Sequence, residues 1–245
     1  MRAPRTAPSR VSSYTRRVAR LEVTAISLAT YPFVQQDYAL LPHGASIGSG
    51  YGPVVVAREP LAPDQLQGIE IVVPGALTTA YLVLRLALGE IAVRELPFEQ
   101  IPDEVASGRA EAGLLIHEGQ LTFDELGLSK VLDLGEWWLL ETGLPLPLGV
   151  NVARRDLGEE RLHDLCIVLR EAIQAALDHR AEALDYALQF GRGIDAAVAD
   201  RFVRMYVNEL TKDYGDEGRT AVAELLRRGE AIGVLPGPVT VDWIA

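Results

Sequence analysis

The residues best suited to chemistry gather around one histidine. Within Gly113–Gly149 the apolar run Leu114-Leu115-Ile116 ends at His117-Glu118-Gly119. This is the pattern of a buried strand delivering an ionisable side chain to its C-terminal end, and in open α/β sheets ligands bind outside that end. Histidine titrates near neutrality as a residue type, so His117 can take up a proton and return it at working pH. A histidine that only closes a strand with a satisfied hydrogen bond would leave the same trace. Glu118 faces the other way if the strand continues, so adjacency alone makes no Glu–His dyad.

Two further groups have the right chemistry for holding an anion. Thr78-Thr79 follow the strand Ile69–Val73 and the Pro74-Gly75 turn, and they open a helix. Free N–H groups at a helix start, with hydroxyls beside them, suit a carboxylate. An ordinary N-cap needs no ligand and explains the same residues. Ser27 stands at the end of another strand, where its hydroxyl can meet a ligand oxygen or bond to backbone. The glycine-dense Gly44–Gly52 reads as a loop. Its GSGYG has neither the lysine nor the following helix of a phosphate loop, so that function is excluded. In Glu136-Trp137-Trp138 the two rings fall on opposite faces if extended. One can then line a cleft and stack on a flat ring, or both can pack beneath a loop.

Other chemistries find no support. His43, His163 and His179 are isolated from one another and show no metal-ligand spacing; the last two sit in polar helical surroundings. No G-x-S-x-G is present. The single cysteine, Cys166, lies in an apolar helical stretch and reads as a buried structural thiol. A formal charge of −11 argues against nucleic-acid and anionic-membrane partners. No apolar run reaches the ~18 residues a spanning helix requires. Residues 1–20 carry six arginines and no acid. They read as a disordered basic leader, a targeting segment, or a replacement for a different N-terminus.

These groups need a scaffold of alternating strands and helices. Leu21–Leu28, Pro53–Arg58, Ile69–Val73, Val93–Leu96, Ala112–Ile116 and Val150–Arg154 read as strands. Ala80–Leu88 and Ile101–Val105 read as helices, and Leu61–Gly68 as a connector. From Glu159 the pattern turns helical: Leu162, Cys166, Leu169, Ile173 and Leu177 form one apolar stripe. Ala181–Phe190, Asp195–Leu210 and Asp216–Arg228 read as further helices. The expected class is α/β with mostly parallel sheets. The element order resembles the two-lobed type II periplasmic-binding-protein fold, with the ligand cleft between lobes. Crossings are expected near Arg58–Pro63 and Pro147–Arg154. That division gives lobe 1 residues 21–59 plus 150–245, and lobe 2 residues 60–149.

From about Thr24 to at least Val222 the chain resembles the 1,4-dihydroxy-6-naphthoate synthases of menaquinone biosynthesis. The similar pieces are GPVVVAR (52–58), PGALTTAY (74–81), EAGLLIHEG (111–119), DLGEWW (133–138), TGLPLPLG (142–149), YVNEL (206–210) and GDEG (215–218). The resemblance implies a cytoplasmic lyase that acts on a small molecule, cyclic dehypoxanthine futalosine, without metal or redox cofactor. It makes His117 the proton acceptor. It makes Thr78, Thr79 and the segment Ala25-Ile26-Ser27 substrate-binding. Ala25 stands where the family usually carries lysine. The family's opening strand and S-P-C-P-N-D-T-F type loop have no counterpart here, so an incomplete first lobe is expected. A solute-binding protein and a chorismate dehydratase share the fold and are the competing readings; IHEG and DLGEWW favour the synthase.

Overall fold

A computed structural model describes residues 21–190 and 195–244. The arginine-rich stretch 1–20 lies outside the described residues. Two sheets carry the architecture. The first is built from β1 (Val23–Ser27), β2 (Tyr38–Leu40), β3 (Ser46–Gly48) and, arriving much later in the chain, β9 (Leu146–Arg154). β9 is the organising strand: β1, β2 and β3 all pair with it, each antiparallel. The second sheet has the order β6-β5-β7-β4-β8, from β4 (Val54–Ala57), β5 (Ile71–Val73), β6 (Val93–Glu95), β7 (Ala112–Leu115) and β8 (Ser129–Asp133). Here β5 runs parallel to β6 and β7, while β4 runs antiparallel to β7 and β8.

The expectation of mostly parallel sheets is therefore corrected. Parallel pairing needs a crossover of roughly a dozen residues or more, usually a helix. Such crossovers exist between β5 and β6, through α1 (Thr79–Leu88), and between β6 and β7, through α2 (Ile101–Ala106). Those strands are the parallel ones. β1, β2 and β3 follow one another without an α-helix between them, and each finds its partner in the distant β9. The glycine-dense Gly44–Gly52 is likewise more than a loop, because it contains β3. β4 falls within residues 21–59. It pairs inside the second sheet, so the chain passes from the first sheet to the second ahead of Val54.

The packing explains the continuous Val54-Val55-Val56-Ala57 run. Val55 and Ala57 enter the main core, with Tyr31, Ile47, Leu82, Trp138 and Val152. Val54 and Val56 face the other way, onto Ile101 and Val105 of α2. A strand buried on both faces has no polar alternation to show. α3 (Gly119–Thr122) follows β7, and α4 (Leu134–Thr142) follows β8, capped by the Asp133 carboxylate on the N–H groups of Gly135 and Glu136. Burial pushes that carboxyl up. Gly135 is required by contact: a Cβ there would sit 2.0 Å from the Tyr51 carbonyl carbon and 2.5 Å from the Gly52 nitrogen. The glycines of GPVVVAR and DLGEWW thus meet backbone to backbone.

The helical part contains α5 (Glu159–Asp178), α6 (Arg180–Leu188), α7 (Ala196–Tyr206), α8 (Glu209–Lys212) and α9 (Gly215–Ala231). Asp195–Leu210, expected as one helix, breaks at Val207. Asn208 then caps α8, its side-chain oxygen accepting from Leu210 N–H at 2.9 Å. The α5 stripe packs Leu162 and Cys166 against Ala39, Leu41 and Ala153. Burial raises the Cys166 thiol, consistent with an unreactive core position. The C-terminal segment lies beside β2, where Leu40 N–H donates to Asp242 O and Ile244 N–H donates to Leu40 O, each at 2.9 Å. It covers an edge that would otherwise present unpaired backbone.

Candidate functional site

One cavity of about 280 Å³ draws its walls from the first sheet, from the chain just outside β4 and β7 of the second, and from α7. Ala25, Ile26 and Ser27 reach it from β1, Leu148 and Gly149 from β9, and Thr78, Thr79 and Ala80 from the start of α1. Ile116 and His117 arrive from the end of β7, and Gln120 from α3. Every site residue expected from sequence lines this one space, although they are spread over some ninety positions of chain. Their juxtaposition is a tertiary fact.

His117 has a left-handed backbone, φ 54°. For a residue with a Cβ this conformation costs about 1–2 kcal/mol, and such outliers cluster at functional sites. The kink ends β7 and swings the imidazole out of the strand, leaving it exposed. Its ring sits between aromatic neighbours, with Phe98 at 4.7 Å and Phe202 at 6.3 Å between centroids. Phe202 packs on Tyr206 at 4.8 Å, and Tyr206 meets Tyr51 edge-on at 5.5 Å. An aromatic wall thus flanks the histidine. Among the described cavity residues, His117 and Tyr206 are the titratable ones. Burial drives the Tyr206 phenol well above its ordinary value, so it keeps its proton at neutral pH.

The three hydroxyl residues differ in what remains available. Thr79 is 2% exposed; its hydroxyl donates to Leu148 O at 2.7 Å and accepts from Ala29 N–H at 3.2 Å. Thr78 caps α1, accepting from Tyr81 N–H at 3.2 Å and donating to Gly75 O at 2.8 Å. Both threonine hydroxyls are committed to the fold. What the start of α1 can offer an anion is its first amides, which have no intrahelical acceptor. Ser27, by contrast, makes no side-chain cap bond at the turn it opens, and its hydroxyl has no partner among the described residues.

Leu148 explains why Thr79 is needed. In the β3–β9 register Ser46 faces Gly149 and Ile47 faces Pro147, so Leu148 is the bulged residue between them. A bulge leaves a backbone group off the ladder, and the Thr79 hydroxyl satisfies it. The tryptophans line no part of the cavity. They belong to a helix, so they are not on opposite faces of a strand: Trp138 is fully buried and donates from Nε1 to Pro145 O at 3.0 Å. Sequence reasoning missed Ser46, Gln120, Phe202 and Tyr206. Of these only Tyr206 carried a trace, as the first residue of YVNEL. No group of three or more His, Cys, Asp or Glu among the described residues is arranged to hold a metal ion. Also among the described residues, no helix is long and apolar enough to cross a membrane.

The fold class is that of periplasmic binding proteins. The alkanesulfonate-binding protein of Xanthomonas axonopodis pv. citri, solved with MOPS bound, superposes with a TM-score of 0.67 at 14% identity, over 96% of this chain and 82% of that one. At that identity the likeness is one of fold. A crystal structure of an Archaeoglobus fulgidus protein superposes far better, with a TM-score of 0.85 at 42% identity, covering 92% of this chain and 85% of that one.

The chain belongs to the menaquinone biosynthesis family, whose model matches residues 6–231. That match begins ahead of Thr24, the start of the resemblance described above. Two relatives are 1,4-dihydroxy-6-naphthoate synthases. The one from Streptomyces coelicolor is 41% identical over 224 residues, 88% of this chain and 78% of the relative. The one from Thermus thermophilus is 43% identical over 220 residues, 89% of this chain and 80% of the relative.

Proposed function

We propose that this chain is a carbon–carbon lyase that converts cyclic dehypoxanthine futalosine to 1,4-dihydroxy-6-naphthoate and dihydroxyacetone in the cytoplasm, with His117 as general base. The observation that carries the reading is the position of His117. It is the one described cavity residue of a type that titrates near neutrality, and it is mounted on a strained turn between aromatic rings. Removing a substrate hydroxyl proton drives retro-aldol cleavage, and aromatisation of the ring pulls the step forward. This chemistry calls for a base and a shaped apolar wall, not for a metal or redox cofactor.

The substrate carboxylate is held by the Ser27 hydroxyl and the first amides of α1 at Thr79 and Ala80, with Thr78, Ala25 and Ile26 forming the adjacent wall. Ala25 brings no charge where the family usually has lysine, so these neutral donors carry more of the binding. The two sheets form the two lobes, and the cavity is the cleft between them. His117→Gln tests the assignment: loss of a general base lowers kcat by about 10²–10⁴-fold, while titrated naphthoate product still binds. Full turnover by the variant would remove His117 from the mechanism. Turnover of chorismate in place of the futalosine substrate would move the chain to the dehydratase reading. Ligand binding without any turnover would make it a binding protein.

A further inference from the structure

Gln120 holds a donor that the protein leaves unspent. It stands one turn beyond His117, and its backbone N–H donates to the His117 carbonyl at 3.2 Å. The same turn therefore positions both side chains. Gln120 is 8% exposed and lines the cavity. Its Oε1 accepts from the Tyr206 hydroxyl at 2.6 Å. Its Nε2 makes no hydrogen bond to any described residue. That donor is not sealed from solvent, since Gln120 lines the cavity, and a ligand oxygen entering that space is the acceptor it can meet.

Tyr206 meets the oxygen end of the amide. Its ring is braced by Phe202 and Tyr51. Burial keeps the phenol protonated, so it remains a donor. A donor on that side takes the amide oxygen and turns the nitrogen toward the substrate.

We propose that Gln120 is a substrate-contacting residue, oriented by Tyr206, that donates from Nε2 to the substrate carbonyl oxygen receiving the electron pair as the carbon–carbon bond breaks. The inference rests on the lyase reading above. In that step, on the ring-opened hydroxy-ketone form of the substrate, the hydroxyl proton passes to His117, and the oxygen it leaves becomes a carbonyl of the aromatising ring. The pair of the broken bond moves onto the carbonyl oxygen of the departing three-carbon unit. His117 or solvent returns a proton to that unit, giving dihydroxyacetone, and the ring dione tautomerises to the diol. No oxidant is involved. Base and donor thus act on opposite ends of one electron flow, and Tyr206 is the positioning residue behind the donor.

The test uses the full chain with cyclic dehypoxanthine futalosine, comparing the parent with Gln120→Leu, Gln120→Glu, Tyr206→Phe and the Leu/Phe double variant. Gln120→Glu keeps an acceptor for Tyr206, and so its fold, but removes the donor. Both Gln120 variants should lose about 10²–10³-fold in kcat, the usual effect of deleting one such donor, with smaller changes in KM. Tyr206→Phe should lose about tenfold alone and add almost nothing to Gln120→Leu, because it acts through the same amide. Melting curves read folding separately. An active parent with a folded, fully active Gln120→Glu would overturn the inference and leave the lyase reading intact. Additive losses in the double variant would overturn the role of Tyr206. A parent without turnover would fail the lyase reading itself, and the inference with it.

Discussion

Thr79→Val isolates what the Thr79 hydroxyl does, because the change keeps the shape and removes the oxygen. In the structure that oxygen satisfies two buried backbone groups at once, the Leu148 carbonyl at 2.7 Å and the Ala29 N–H at 3.2 Å. Both belong to places where the regular ladder stops, a bulge in β9 and the turn that follows β1. Neither group gains another protein partner when the hydroxyl goes. Leaving a buried backbone group unsatisfied costs about 1–3 kcal/mol, so the pair gives a loss of about 3 kcal/mol. For a chain of this size that lowers Tm by about 6–12 °C. Urea titration and thermal melting followed by circular dichroism measure it directly. Thr79→Ser keeps both bonds and should lose about 1 kcal/mol or less, the contribution of one methyl group. The reasoning is refuted if Thr79→Val unfolds with the parent while KM rises sharply. That result would make the hydroxyl a substrate ligand and not a cross-link.

Gly135→Ala forces a Cβ to within 2.0 Å of the Tyr51 carbonyl carbon; backbone must move, and a loss of about 3 kcal/mol in urea unfolding is expected. Glu224 accepts from Arg227 and Arg228 on α9, and these guanidiniums hold its carboxyl down at about 2. A depressed carboxyl contributes stability that is present above its ordinary value of 4.5 and is lost as pH falls toward 2. Glu224→Gln should therefore unfold about 1 kcal/mol more easily at pH 7, allowing for solvent screening, with the difference shrinking steadily below pH 4.5 in a melting series. Asp133→Ala removes the cap of α4 and should lose about 1 kcal/mol, whereas Asp133→Asn keeps an acceptor and should stay close to the parent.

Much of the scaffold was legible because local physics dictates it. The strand β7, the turn at Pro74-Gly75, the cap at Thr78 and the apolar stripe of α5 all follow from short-range pattern. Parallel versus antiparallel pairing was not legible, since it depends on which strand a residue meets across the fold. β4 shows the limit plainly. Its four apolar residues read as a buried strand, but nothing in them says that both neighbours are antiparallel or that it belongs to the second sheet. The Trp137-Trp138 pair shows another. Its treatment as extended chain failed because Asp133 starts a helix there, and the helix turns Trp138 into the core.

The same division runs through the site. Sequence alone marked His117, Thr78, Thr79 and Ser27, because each terminates or begins an element with a group that chemistry can use. It also determined the continuous apolar runs that become two-sided strands. Only the tertiary structure brought these residues to one cavity and sorted their hydroxyls. Thr78 and Thr79 are adjacent and chemically alike, yet Thr79 is consumed by a bulge 69 residues away. Gln120 and Tyr206 are ordinary residues until a fold places a phenol 2.6 Å from an amide. The physical reason is range. Turns, caps and periodicities are set by neighbours a few residues apart, whereas hydrogen-bond availability at a buried site is set by whatever distant backbone arrives there first.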